Sequence, residues 1–292
     1  MVAFPQRSQP GHRHLGRAGH DLPPADPEAL VVISIRGIQK WFHRGTPQEV
    51  HALRGVDLEV APGDFITIIG SNGAGKSTML SCIAGALSID AGSIHFHDTD
   101  VTSWPEYRRA GLVARVFQDP LRGTFGGGTI AQNLALALRR GAPRGLRPGV
   151  RRHELAFFQE RLATLGLGLE HRLHDRVALL SGGQRQALTM VMATLRRPEL
   201  LLLDEHTAAL DPKTAAHILE LTERTVAEHG ITTLMVTHNM AHAIALGNRL
   251  VMMHHGRIVL ETRGAEKAAL TVTALLDRFH DLNAASDRMI LS

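Results

Sequence analysis

The chain has little cysteine, little lysine and few aromatic residues. A single cysteine, Cys82, in 292 residues excludes a disulfide framework and a thiolate metal site, and it fits a reducing compartment. Lysine occurs only at 40, 76, 213 and 267, so 28 of the 32 basic residues are arginine, an excess that reflects coding bias as much as function. Aromatic residues make up 4%. No apolar run approaches the ~18 residues of a membrane-spanning helix, and the longest leucine run is 200–203. The formal charge of +4 permits nucleic acid, anionic lipid or an acidic partner and selects none of them. The 44% hydrophobic share is enough for a sizeable core and excludes wholesale disorder. At ~150 residues per domain, the length indicates one large domain or a core carrying a subdomain.

Residues 1–30 are rich in Pro, Gly, His and Arg and lack an apolar h-region, so they read as a disordered leader rather than a secretory signal. Order is expected from Val31. Strands are predicted at 31–35, 56–60 and 65–69, then a helix over 75–87 and a small β unit at 93–97. From about 119 to 180 the pattern is mainly helical, with amphipathic stretches at 130–140 and 153–165. The arginine-rich segment 139–152 between them reads as a solvated loop, with a docking patch for lipid or a partner as the alternative. An α/β rhythm follows: helix to 196, strand 200–203, helix 212–229, strand 232–237, helix 240–246. A hairpin from 250 to 261 turns through His254-His255-Gly256-Arg257.

Gly70-Ser71-Asn72-Gly73-Ala74-Gly75-Lys76-Ser77, followed by Thr78, fits G-x-x-x-x-G-K-[ST] between a buried-type strand and a helix. The glycines let backbone N–H groups turn inward around a phosphate, and the helix start adds a favourable dipole. Lys76 places a charge between β- and γ-phosphates, and the Ser77 hydroxyl suits Mg²⁺. Leu200-Leu201-Leu202-Leu203-Asp204-Glu205 reads as a central parallel strand delivering two carboxylates at its C-terminal end. Asp204 would hold Mg²⁺ and Glu205 would polarise an attacking water. Ser181-Gly182-Gly183-Gln184, opening another helical run, is a second anion site. One nucleotide has no use for two such sites on one copy unless the second reads a neighbour's nucleotide.

With Leu180-Ser181-Gly182-Gly183-Gln184 lying between the phosphate loop and the acidic strand in order, the sequence resembles the ATP-binding cassette (ABC) ATPases from about Ile33 onward. The resemblance implies an α/β fold: a P-loop NTPase (RecA-like) core, an N-terminal antiparallel β subdomain and an inserted helical subdomain at roughly 119–180. It implies ATP and Mg²⁺ as cofactors and Gln118 as a metal and water sensor. Asp211 would cross a dimer interface, and His238 would contact the γ-phosphate. Trp41 and Phe42 lie where the family stacks an aromatic ring on adenine, and motif spacing favours Phe42. Longer strings (residues 116–120, 205–214 and 237–240) resemble the ATPases of bacterial uptake systems for tryptophan/tyrosine-type substrates.

The family's Pro-Thr-Ser after the catalytic Glu is His206-Thr207-Ala208 here, which would put a histidine close to the reacting phosphate; it reads as a tolerated subfamily variant, with an effect on nucleotide affinity or its pH dependence as the alternative. Cys82, the His254-His255 pair and the methionines at 190, 192, 252 and 253 read as structural. The implied partners are a second copy, integral membrane permease subunits and a solute-binding protein, at the cytoplasmic face of the inner membrane. An ABC ATPase acting on nucleic acid or ribosomes is the alternative. Against it, the stretch from Lys76 to Ser181 carries neither heptads nor Cys clusters, and the chain holds a single cassette. No nucleic-acid partner is expected.

Overall fold

The computed structural model describes residues 31–142 and 149–290, with backbone only from 283. The leader and the centre of the arginine-rich segment lie outside the described residues. The described chain begins with β1 (Ile33–Phe42) and β2 (Val50–Val60), then β3 (Phe65–Gly70) and α1 (Lys76–Ala84). β4 (Ala91–Phe96) and β5 (Thr99–Asp100) follow, then α2 (Glu106–Arg109) and β6 (Val113–Val116). Next come α3 (Ile130–Leu138), α4 (Glu154–Ala163) and α5 (Gly182–Thr194). The chain continues as β7 (Leu200–Asp204), α6 (Pro212–His229), β8 (Thr233–Val236) and α7 (Met240–Ala245). β9 (Arg249–His254), β10 (Arg257–Arg263), α8 (Gly264–Ala268) and α9 (Val272–Ile290) complete it.

Two sheets result. The antiparallel one has strand order β2-β1-β4-β5, and the larger has order β10-β9-β3-β8-β7-β6. In β2 the apolar residues Val56, Leu58 and Val60 are buried while Asp57 and Glu59 are exposed, the period-2 pattern of a strand with one wet face. β7 is buried along its whole length, and it pairs in parallel with β6 on one side and β8 on the other. Burying each of its leucines contributes about 1.5–3 kcal/mol, so this strand anchors the core. β3 is parallel to both β8 and β9. The C-terminal ends of β3, β8, β7 and β6 therefore lie along one edge of the sheet, where α/β proteins place ligands.

The helices after β6 make a separate core. Leu134 of α3, Phe158 and Leu162 of α4, and Leu188 and Val191 of α5 pack together, with Ile218 and Leu221 of α6 closing the cluster. α3 starts on a capping box: Thr129 accepts from the Gln132 N–H, while the Gln132 side chain accepts from the Thr129 N–H.

Two differences from the sequence-based elements matter for the site. β1 extends to Phe42, past three register shifts, because its edge continues to pair with β2 through Trp41↔His51 and Phe42↔Val50. β6 is only four residues long and contains a charge, Arg115, so it leaves almost no hydrophobic signal.

Candidate functional site

The phosphate loop joins β3 to α1. Its backbone reaches positions closed to a side chain: Gly70 lies at φ 158, where a Cβ would overlap the Met253 carbonyl oxygen. The turn of the β9–β10 hairpin braces the loop from outside. Gly256 N–H donates to the Ala74 carbonyl at 3.1 Å, and its own carbonyl accepts from Arg54 N–H at 2.8 Å. The His254–Arg257 stretch, a plain hairpin by sequence, is thus a strut for the phosphate loop. Lys76 folds back over the loop and donates to the Gly70 and Ser71 carbonyls at 2.7 and 3.0 Å. Burial lowers its pKa, and the Glu205 and Asp204 carboxylates oppose that shift.

Ser77, at the start of α1, donates to Asp204 Oδ1 at 3.0 Å. A hydroxyl and a carboxylate side by side are hard oxygen donors suited to Mg²⁺. Among the described residues no group of three or more His, Cys, Asp or Glu side chains could by itself hold a metal ion. A cation held by Ser77 and Asp204 would therefore complete its shell with water and phosphate oxygens, as Mg²⁺ does in nucleotide sites. The residues present fit both the phosphates and the metal.

Glu205 follows β7 with φ 46, a left-handed conformation that costs a non-glycine residue of order 1 kcal/mol. The turn is held by Glu205 N–H donating to Val236 O at 3.0 Å and by Ala208 N–H donating to Glu205 O at 2.9 Å. It brings the Glu205 carboxylate to 3.6 Å from His238 Nδ1, with the histidine side chain 64% exposed. His238 follows β8, and Asn239 behind it caps α7 by accepting from His242 N–H. An acid–base pair thus stands open to solvent at the same edge as the phosphate loop. Gln118, two residues beyond β6, is also exposed there.

Ser181 caps α5 through a capping box, accepting from Gln184 N–H at 3.2 Å, while Gln184 Oε1 accepts from Ser181 N–H. Ser181 and Gly182 are exposed. Asp211 caps α6, accepting from Thr214 N–H at 3.1 Å ahead of Pro212, and these bonds lower its pKa. At the end of β1, Trp41 stacks on His51 with ring centroids 3.9 Å apart, and the Arg44 guanidinium lies 4.7 Å from the Trp41 ring centroid. Phe42 is half-buried, with Lys40 Nζ 5.9 Å from its ring. Trp41 lies towards the phosphate loop, since its cross-strand partner His51 adjoins Ala52, whose carbonyl a Cβ on Gly75 would approach to 2.6 Å.

One sequence expectation changes, one residue was missed and one expectation holds. His206 is fully buried with its imidazole against α6, 3.1 Å from Thr222 Oγ1, so it faces the core instead of a phosphate. The Thr222 hydroxyl donates to Ile218 O at 2.7 Å and so accepts from His206 Nε2–H. Desolvation pushes the pKa of His206 down to about 4, so it is neutral near pH 7. Arg115, which sequence reasoning passed over, donates to Asp204 Oδ2 at 2.6 Å with both side chains 12% exposed. The available signal was an arginine inside a short apolar strand, since a charge there needs a buried partner. Cys82 is structural as expected: it is buried, and desolvation pushes its thiol up to about 11.

The ABC transporter family model matches residues 53–208, a span that includes the phosphate loop, the Ser181 cap and Glu205. The chain belongs to the ABC transporter family. Its nucleotide-binding domain is an ATPase, built on the α/β P-loop NTPase fold. It is 44% identical to a tyrosine transport ATP-binding protein of Clostridioides difficile, over 85% of this chain and 98% of that one. An aliphatic sulfonates import ATP-binding protein of Ralstonia nicotianae is 36% identical over 82% and 81%. Among solved structures, a dimeric ATP-binding cassette in a post-hydrolysis state with ADP and phosphate matches at TM-score 0.67 and 28% identity, over 79% of this chain and 98% of that chain. A nucleotide-free cassette from an ABC transporter matches at TM-score 0.66 and 27% identity, over 81% and 93%.

Proposed function

We propose that this ABC ATPase drives a separate membrane permease by closing head to tail with a second copy around ATP, and that the transporter imports a small, amino-acid-like solute. The separation of its two anion-binding helix starts carries the reading. The phosphate loop opens α1, whose neighbours are β2, β3, β6 and β7, whereas Ser181 caps α5, whose neighbours are α3, α4, α6 and β6. A second copy is what would bring a Ser181-Gly182-Gly183-Gln184 start to the γ-phosphate held by the first, with Asp211 reaching across beside it.

Within each copy the loop from Gly70 to Thr78 holds the phosphates by backbone N–H groups and Lys76, and Phe42 stacks on adenine. Glu205 polarises the attacking water, and His238, 3.6 Å from it, contacts the γ-phosphate. Ser77 and Asp204 would hold Mg²⁺, with Gln118 as the metal and water sensor, and the ion would supply neutralisation of charge on the phosphate oxygens. Loss of the γ-phosphate then releases the seam. No helix among the described residues is long and apolar enough to cross a membrane. In this reading passage falls to partner permease subunits, with the ATPase at the cytoplasmic face of the inner membrane. The 44% identical tyrosine transport relative supports the amino-acid-like solute; a solute-binding protein follows only from the import reading itself.

Replacing Glu205 tests the chemistry. Glu205→Gln is expected to slow ATP turnover by ~10²–10⁴-fold, the range for losing a general base, while nucleotide binding persists. Wild-type turnover by that variant would refute the assignment.

A further inference from the structure

The Ser77–Asp204 pair belongs to a closed ring of hydrogen bonds. Asp204 Oδ1 accepts from Ser77 Oγ at 3.0 Å, and Oδ2 accepts from Arg115 Nη2 at 2.6 Å. Arg115 Nη1 donates to Ser81 Oγ at 3.1 Å, and Ser81 Oγ donates back to the Ser77 carbonyl at 2.7 Å. The guanidinium also covers the Phe117 ring at 4.7 Å, and the Phe117 carbonyl accepts from Gln186 at 3.3 Å. The ring therefore ties β6, α1 and β7 together immediately before Gln118. Arg115 is held by geometry from three sides and is not a loose surface charge.

Its position has an electrostatic consequence. The guanidinium occupies one of the two oxygens of the only carboxylate assigned to the metal, and it places a fixed positive charge next to the spot where a divalent cation would sit. A lone carboxylate beside a hydroxyl attracts free divalent cations; the same carboxylate already paired to an arginine does not. Phosphate oxygens from a nucleotide would restore the missing negative charge. We propose that Arg115 is a positioning residue for the metal: it orients Asp204 Oδ1 toward Ser77 and suppresses binding of free divalent cation, so that Mg²⁺ enters only together with the nucleotide's phosphates. The inference rests on the assignment of Asp204 to Mg²⁺ above and goes beyond it, by assigning a residue that sets when the ion is taken up.

The test is a metal titration. Binding of a fluorescent ADP analogue is followed against Mg²⁺, and Mn²⁺ binding to the protein without nucleotide is followed by electron paramagnetic resonance. Wild-type protein, Arg115→Gln, Arg115→Lys and Asp204→Asn are compared. Removing the charge is expected to lower the Mg²⁺ concentration at half-maximal analogue binding by on the order of tenfold and to create a nucleotide-independent Mn²⁺ site. Arg115→Lys, which keeps the charge, should stay near wild type; a purely structural brace would not distinguish lysine from glutamine in this way. Equal midpoints for Arg115→Gln and wild type would overturn the proposal. A sub-millimolar Mn²⁺ site on nucleotide-free wild type, abolished by Asp204→Asn, would overturn it without any arginine variant having to fold. If Asp204→Asn leaves the Mg²⁺ dependence unchanged, the metal assignment itself falls and the proposal falls with it.

Discussion

His206 shows how one side chain can read differently in sequence and in space. Its place next to Glu205 suggests an active-site histidine, but the chain turns sharply at Glu205 and sends the imidazole inward to Thr222. Because its folded pKa of about 4 lies below the ordinary 6.5, the unfolded chain takes up this proton first as pH falls. Stability from this group is therefore complete above about pH 6.5 and declines between there and pH 4, by at most about 3 kcal/mol. Thermal unfolding measured from pH 7 to 4 should show that decline, and His206→Met should flatten it. A wild-type profile that His206→Met leaves unchanged would mean that the histidine is not desolvated. Motif residues such as Lys76, Glu205 and His238 were legible because their spacing is local and their chemistry is fixed. Arg115 was not, because its partner Asp204 is 89 residues away.

At the level of elements, Gly183 illustrates a constraint that a motif alone does not explain. A Cβ there would overlap Thr214 Cγ2 at the start of α6, so glycine at this position lets the α5 and α6 starts approach closely. Gly183→Ala should cost about 1–3 kcal/mol by overpacking. Thr214→Ser removes the offending methyl, so the double variant should recover most of the loss in chemical denaturation; additive losses would show that crowding is not the cause. Elements with clean patterns, such as the four-leucine strand β7 and the β9–β10 hairpin, were readable. The long C-terminal helix α9 was passed over although Leu275, Phe279 and Leu282, which join the cluster that includes Ala243 of α7, recur at i, i+4 and i+7. The arginine excess also has a structural use that composition conceals. Arg139 donates to the Ala135 carbonyl at the end of α3, Arg140 to the Ala193 and Arg196 carbonyls at the end of α5, and Arg197 to the Gly230 carbonyl after α6. Basic groups there satisfy carbonyls that a helix end leaves free and complement its dipole.

For the whole molecule, the arrangement of layers decides the functional reading. One sheet edge carries the phosphate loop, Asp204, Glu205, His238 and Gln118, while the Ser181 start belongs to the helical layer built on α3, α4 and α5. Sequence order made both groups recognisable, but only the fold assigns them to different layers. The central claim is that two copies complete one another's nucleotide sites. The most direct measurement is the solution mass of Glu205→Gln by analytical ultracentrifugation, with and without saturating Mg-ATP. The account predicts monomer without nucleotide and twice that mass with it, and it predicts that Ser181→Arg, introduced into the same variant, abolishes the shift. A species that stays monomeric in saturating Mg-ATP, even with its native permease subunits present, would contradict the account.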